Sequence, residues 1–363
     1  MHLNRFGRTA VVAAATLALG LTHAAVASAQ THRPRWEVDV VGGLSRFDLP
    51  TSGTVELPPP GPPLTTSGPI SPSRQIPTWF LSDGASLVNG VNAEFGVAAR
   101  ITPLDAALGS LGTGASQAPV LGLRVRRVLT SHLAFEVSAD VLQGSTDIPR
   151  ELLQAAEVSR ASFETAMTGL LTTGPFSSVS VSATVTESNQ NSRDLVTTAA
   201  LRWTFSSGRT TPYLTLGGGI LQTMGDLPGV TLVGNYRFQI AGSVPINETD
   251  TLQVRYDHDT ALVGLGGLGL HTSVTNRIGL TLDGRVLVGR QTLALKLDAD
   301  PSAASGTPEG FIESFTTPAI QFSNSAATGR ESSLSGQLQN FKAFSTSGVQ
   351  VRYLITAGVT FRF

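Results

Sequence analysis

The chain has no cysteine among its 363 residues, which excludes structural disulfides, thiol catalysis and cysteine-based metal sites. Charge is also scarce, because only 14% of the residues are charged and 25 basic side chains stand against 26 acidic ones. Nucleic-acid-binding proteins usually carry a clear basic excess, so this balance argues against that class. Beyond the N-terminal stretch there is no continuous apolar run of the ~20 residues that a membrane helix needs.

The N-terminus has the three-part layout of a secretory signal peptide. Two arginines precede an apolar run over residues 10–21, and the small residues Ala27 and Ala29 follow it at the spacing of a cleavage site. The sequence therefore predicts a signal peptide over 1–29, Sec-dependent export, and a mature domain over 30–363.

The last strand-like segment separates two environments. From Val349 to Phe363 every second residue is apolar, and the residues between them are mostly polar, with Arg352 and Arg362 among them. Side chains of a strand alternate between its two faces. An apolar face that ends in Phe361 and Phe363 suits lipid, and a face with arginines suits a wet or charge-paired lumen.

The same period-two alternation recurs along the chain and predicts an all-β fold, an antiparallel transmembrane β-barrel of about ten strands. Eight strands are expected if the glycine-rich 264–274 region does not span, and twelve if 92–101 pairs with a strand between 75 and 90. The predicted strands are 36–47, 121–128, 133–142, 195–205, 213–221, 232–242, 251–258, 268–274, 278–288 and 348–363.

The lengths of the connections predict the orientation of the barrel. Short turns of such barrels lie in the periplasm and long loops lie outside the cell. A helical spacing of apolar residues predicts one helix over 149–171, packed over the barrel mouth. Short connections are expected at 129–132, 206–212, 245–250 and 274–277, and long outer loops at about 48–118, 144–194 and 289–347.

The terminal amphipathic strand and the strand pattern resemble the family of small bacterial outer-membrane β-barrel proteins, similar to the barrel part of OmpA-like proteins and of porins. The resemblance implies a Gram-negative outer-membrane location, lipid as the surrounding partner, and passage through periplasmic chaperones to the barrel-assembly machinery. It also implies that Phe363, with Phe361, carries the assembly signal. The chain stops at the last strand, so no peptidoglycan-binding domain is expected.

The predicted inward faces carry charges of both signs, with arginine dominating the basic set. A small barrel is only modestly wider than its side chains, and unpaired charges there would be costly, so a cross-linked network and a largely filled lumen are expected. This predicted lumen charge network comprises Glu37, Asp39, Arg124, Arg126, Glu136, Asp140, Arg202, Arg237, Arg255, Asp257, Asp283, Arg285, Arg352 and Arg362.

The sequence offers little for catalysis. Alternation along 251–258 puts Asp257 and His258 on opposite faces, with His258 toward lipid, and no Gly-x-Ser-x-Gly elbow is present. Asp298 and Asp300 lack the pattern of a calcium loop, so no metal and no cofactor are expected. The leading hypothesis is a non-enzymatic surface protein that is structural or binds an extracellular ligand through its loops. The alternatives are a narrow solute pore gated by the 149–171 helix and a hydrolase that uses His258.

Overall fold

In the computed structural model the chain from Trp36 onward forms one compact unit. The signal peptide, with Ala27 and Ala29, lies outside the described residues. The structure describes residues 36–48, 53–59, 74–109, 115–143, 148–188, 193–206, 208–225, 228–240, 246–300, 302–304, 321–323, 331–334 and 337–363. Within these ranges no helix is long and apolar enough to span a membrane.

The fold is antiparallel β throughout its main sheet, with two α-helices and one short 3₁₀ helix, Asp105–Gly109, in the described residues. In chain order the elements are β1 (Trp36–Asp48), β2 (Thr54–Val55), β3 (Arg74–Ile76), α1 (Ser82–Glu94), β4 (Ala115–Val128), β5 (Leu133–Gln143), α2 (Arg150–Thr173), β6 (Phe176–Ser188), β7 (Arg193–Thr204), β8 (Thr210–Met224), β9 (Gly229–Ile240), β10 (Ile246–His258), β11 (Ala261–Ser273), β12 (Ile278–Ala299), β13 (Ser302–Ala304), β14 (Gln321–Ser323), β15 (Glu331–Leu334) and β16 (Leu338–Arg362). A separate small sheet joins β14, β15 and β3.

Eight strands close into a ring, because β16 pairs with β1 on one side and with β12 on the other. The order around the ring is β16, β1, β4, β5, β7, β8, β11 and β12. The predicted barrel is confirmed, and its ring has the lower of the expected strand numbers. The glycine-rich 264–274 region does span, as part of β11, whereas 92–101 forms the end of α1 and the loop after it.

Two predicted barrel strands, 232–242 and 251–258, form β9 and β10 but lie outside the ring. The C-terminal part of β12 and the N-terminal part of β16 extend beyond the ring. There they belong to a second sheet with the strand order β2, β16, β12, β10, β9 and β6. This sheet with α1 and α2 is called the cap. The placement of β9 and β10 in the barrel wall was therefore wrong: their apolar faces pack in the core of the cap instead of facing lipid.

The cap has its own apolar core, which α1 and α2 cover. Phe163 of α2 lies 5.0 Å from Phe80 and 6.3 Å from Tyr236 of β9, measured between ring centroids. A Cβ at Gly234 would meet the Phe163 ring at 2.7 Å, so glycine allows this close approach of helix and sheet. The helix predicted over 149–171 is α2, and its main contacts are with β6, β9 and α1 of the cap, not with the ring.

All the long connections leave the ring at the end that carries the cap. The turns after β4, β7 and β11 are short and lie at the opposite end, here called the turn end. The turn predicted at 245–250 was wrongly placed, since residues 246–250 begin strand β10, and Ile246 pairs with Phe238 at the end of the cap farthest from the ring. The chain between β8 and β11 is therefore a fourth long excursion, with β9 and β10 inside it.

Candidate functional site: a charge-filled barrel interior

The outer face of the ring is an apolar belt. Large apolar side chains stand exposed on β1, β4, β7, β8, β11, β12 and β16; Leu262 is 78% exposed, and Leu121 and Ile355 are each 67% exposed. Soluble monomers rarely expose apolar patches beyond a few hundred Å². On β12 the apolar outward positions run from Ile278 to Val288, which matches the ~9–11 residues that a membrane-spanning strand needs.

Aromatic residues mark the turn end of the belt. Trp203, Phe205, Phe361 and Phe363 are all at least 41% exposed there. Such side chains are enriched where a barrel meets the membrane interface. The backbone N–H of Phe363 donates to the carbonyl of Trp36 at 3.0 Å, which ties the last residue of the chain to the first strand of the ring.

The inner face of the ring is packed with ion pairs. Arg126 is 1% exposed and lies at the turn end of the lumen, among three carboxylates. Its Nη2 is 2.5 Å from Asp39 Oδ1 and 3.3 Å from Glu37 Oε2, and its Nη1 is 3.9 Å from Glu136 Oε2. One guanidinium thus connects β4 with β1 and β5.

A second cluster fills the middle of the lumen. Arg285 Nε is 2.8 Å from Asp283 Oδ1, and its Nη2 is 2.5 Å from Glu136 Oε1 on β5. Arg124 Nη1 is 3.1 Å from Asp283 Oδ2, while the Tyr213 hydroxyl donates to the same oxygen at 2.7 Å. Arg124 Nη2 also donates to the Thr356 hydroxyl at 2.9 Å and lies 4.0 Å from Asp140. The contacts of Arg285 with Glu136 and of Asp283 with Arg124 and Tyr213 cross the lumen between strands that are not neighbours in the sheet.

Arginines at the two ends complete the network. Near the cap, Arg352 Nη1 is 2.7 Å from Asp194 Oδ2, and its guanidinium lies 4.2 Å from the Phe47 ring centroid. At the turn end, Arg362 Nε is 2.9 Å from Glu37 Oε1, and its Nη2 is 2.5 Å from His271 Nε2. These contacts hold the strand ends around the lumen, because each joins β16 to another strand of the ring.

The network is electrically balanced and largely closed to solvent. An apolar layer built around Leu287, Leu265 and Leu142 lies between the central charges and the cap. Among the described residues the carboxylates of the lumen are Glu37, Asp39, Glu136, Asp140, Asp194 and Asp283, and the guanidinium groups are those of Arg124, Arg126, Arg202, Arg285, Arg352 and Arg362. Six negative groups therefore meet six positive ones.

Eleven of the fourteen residues that the sequence assigned to the network line the barrel interior, and the other three do not. Arg237 is exposed on the cap. Arg255 and Asp257 lie on the solvent face of the cap sheet, where Arg255 Nε is 2.8 Å from Asp298 and Asp257 is 2.5 Å from Lys296 Nζ. The reason is the same as for their strands: alternation gave their face correctly, but that face borders water above the ring.

The predicted lumen charge network leaves out three residues of the lumen. Asp194 and Tyr213 are 0% and 1% exposed, and His271 is 4% exposed beside Arg362. Asp194 shares its face with Arg202 at even spacing along β7, so one more step of the alternation finds it. Tyr213 opens a glycine-rich strand whose two faces look alike in sequence; there the guanidinium of Arg202 lies 3.3 Å from its ring centroid.

His258 faces inward, which corrects its expected orientation toward lipid. It shares a face with the buried Tyr256, and neither ring nitrogen has a hydrogen-bond partner among the described residues. Burial lowers the pKa of His258, Asp194 opposes that shift, and Arg352 adds to it. Among the described residues no three acidic, histidine or cysteine side chains form a metal-ligating group.

Together the belt, the ring and the paired interior define a transmembrane β-barrel. No protein-family model matches the chain, and no curated protein is significantly similar to it. Among solved structures, a deltaS2S3 mutant of the monoaromatic hydrocarbon channel TodX aligns over 92% of this chain and 91% of its own, with 9% identity and a TM-score of 0.20. The Pseudomonas putida toluene transporter TodX aligns over 92% and 90%, with 9% identity and a TM-score of 0.17. These TM-scores are too low to support a fold or a function, and the fold is defined by the strand pairings themselves.

Proposed function

We propose that this chain is a non-enzymatic outer-membrane anchor: a barrel whose lumen does not conduct, and whose purpose is to hold the cap at the cell surface. The observation that carries the proposal is the balanced ion-pair network across the lumen. An eight-stranded barrel is just wide enough for its side chains to fill. Every long connection leaves the ring at the end that carries the cap. This arrangement is the one expected of a barrel that presents a folded cap.

The proposed location follows from the predicted signal peptide together with a membrane barrel, since such barrels with apolar belts belong to outer membranes. In this placement the turn end lies in the periplasm and the cap lies outside the cell. Membership of the OmpA-like group is part of the same proposal. An extracellular ligand would bind the cap, because most charged groups of the lumen are already paired with one another.

Conductance in planar lipid bilayers tests the proposal. The purified, refolded chain is expected to give no stable single-channel steps. Passage of an ion would require the contacts across the lumen, Arg285 with Glu136 and Arg124 with Asp283, to separate. A variant that lacks 149–171 is expected to be equally silent, since α2 packs in the cap. Stable steps in the intact chain would refute the anchor, and steps only after the deletion would establish the gated pore. Against a hydrolase that uses His258, neither nitrogen of its imidazole has a hydrogen-bond partner among the described residues.

The proposed assembly route predicts a role for the last residue. Phe363→Ala keeps the backbone bond to Trp36 but removes the terminal aromatic ring, so fewer molecules are expected to reach the outer membrane as folded barrel. Folded barrels shift mobility on gels when heated, and this shift measures the folded fraction. Phe205→Ala is the matched control, because Phe205 is an exposed aromatic residue at the same end. Equal folded fractions for the two variants would refute the assembly signal.

A further inference from the structure

A buried carboxylate joins the segment before α1 to strand β10. Asp250 is 0% exposed, and its Oδ2 accepts hydrogen bonds from the backbone N–H of Trp79 at 2.7 Å and from Thr78 Oγ1 at 3.0 Å. The Thr78 hydroxyl in turn accepts a bond from the backbone N–H of Phe80 at 3.1 Å. One carboxylate oxygen therefore orders three successive residues, which place two aromatic rings in the core of the cap.

A second polar link runs beside the first. Trp79 Nε1 donates to the Tyr236 hydroxyl at 3.0 Å, and that hydroxyl donates to Glu248 Oε2. Glu248 and Asp250 are two residues apart on β10 and so share a face. Both carboxylates are nearly inaccessible, at 3% and 0% exposure. The tryptophan is thus held at its backbone by one carboxylate and at its indole, through Tyr236, by the other.

The surroundings of Asp250 disfavour its charged form. Its two donors are neutral, no cation pairs with it among the described residues, and its Oδ1 is buried without a partner. The titratable groups on the elements packed around it are Glu248 and Tyr236, while Asp83 and Asp105 line a cavity of about 20 Å³ together with Thr78. None of these can supply a positive charge.

We propose that Asp250 is a proton-controlled latch of the cap: the neutral carboxyl keeps residues 78–80 on β10, and loss of the proton loosens them because the cost of a buried charge without a cation exceeds the gain from the stronger hydrogen bonds that the charged oxygen accepts. Burial, the largest cause, raises the pKa of Asp250 to about 7, the Trp79 and Thr78 donors oppose the shift, and Glu248 adds to it. An unfolded aspartate titrates near pH ~4. The stabilising uptake of a proton is therefore complete below about pH 4 and is lost as the pH rises through about 7.

Trp79 supplies the readout, because it is fully buried whereas Trp203 is 51% exposed and Trp36 is half-buried. A full-length chain with Trp36→Phe and Trp203→Phe leaves Trp79 as the single tryptophan. Its quenching by acrylamide is expected to rise between about pH 4 and pH 9 with a midpoint near 7, and Asp250→Asn should abolish this rise. A parent without pH dependence, or an unchanged midpoint in Asp250→Asn, would overturn the latch.

Two further variants separate the latch from a general loss of packing. Thr78→Val removes one donor to the charged form, so the midpoint should move up by about one pH unit. Glu248→Gln removes a neighbouring negative charge and should lower the midpoint without abolishing the transition. Heat-dependent gel mobility verifies that each barrel is folded. A Thr78→Val midpoint that stays at the parent value would place the titration on another group and reject the proposal.

Discussion

Replacing Arg285 by methionine is expected to destabilise the folded barrel by about 3–5 kcal/mol, the usual cost of removing one partner from a buried ion pair. The guanidinium bonds both Glu136 and Asp283, and all three residues are at most 2% exposed. Methionine preserves most of the side-chain volume but does not neutralise the two carboxylates. Glu136 then keeps only the 3.9 Å contact with Arg126, and Asp283 keeps Arg124 and the Tyr213 hydroxyl.

Urea unfolding of the chain in lipid vesicles, followed by gel mobility, measures this loss. Arg290→Met on the same strand is the matched control, because Arg290 faces outward and is exposed. Surface substitutions usually change stability by within about 0.5 kcal/mol. The double change Arg285→Met with Glu136→Gln should recover part of the loss, since the two sites share one interaction. Equal midpoints for the two arginine variants would show that the lumen network contributes no net stability.

The strands of this fold could be predicted from sequence because alternation is a local property. Each of the ten predicted segments overlaps a strand, and the terminal segment pairs with β1, where Phe361 lies opposite Val38. Alternation also gave the inward face of Arg124, Arg126 and Arg285. These successes share one physical basis: the direction of a strand side chain depends only on its position along the strand.

The cap could not be predicted in the same way, because alternation separates two faces without stating what each one meets. Tyr236 and Phe238 of β9 have the same pattern as Leu280 and Leu282 of β12. The first pair is buried at 2% and 1% exposure, whereas the second is 51% and 54% exposed. What differs is a distant partner, since Phe163 of α2 covers β9. Such a contact depends on chain segments far apart in sequence, and no local period encodes it.

The residues of the lumen network could be predicted only on strands whose two faces differ clearly in sequence. Arg202 was found because apolar residues flank it, whereas Tyr213 was not, since glycines at 217–219 leave both faces of β8 without contrast. Two inward glycines, Gly217 and Gly219, would each place a Cβ within 2.2 Å of a neighbouring backbone oxygen. The close strand approach that makes glycine necessary there is the same feature that erases the sequence signal.

Leu282→Arg is the second change for which a large effect is expected, about 2–4 kcal/mol of lost stability in lipid. Leu282 is 54% exposed and lies near the middle of the apolar outward run from Ile278 to Val288. If that face meets hydrocarbon, a guanidinium there loses its hydration, and the reported cost at the membrane midplane is of this size. If the face met water, the same change would be nearly neutral.

Val158→Arg supplies the comparison that distinguishes lipid from water. Val158 is 52% exposed on α2 of the cap, so its degree of exposure matches that of Leu282 while its proposed surroundings are aqueous. The midpoint of urea unfolding in vesicles should fall for the Leu282 variant and remain unchanged for the Val158 variant. The difference should shrink in short-chain lipids, which form a thinner hydrocarbon layer around Leu282. Equal effects at both positions would mean that exposure alone, and not membrane depth, sets the cost, and the assignment of the belt to lipid would fail with it.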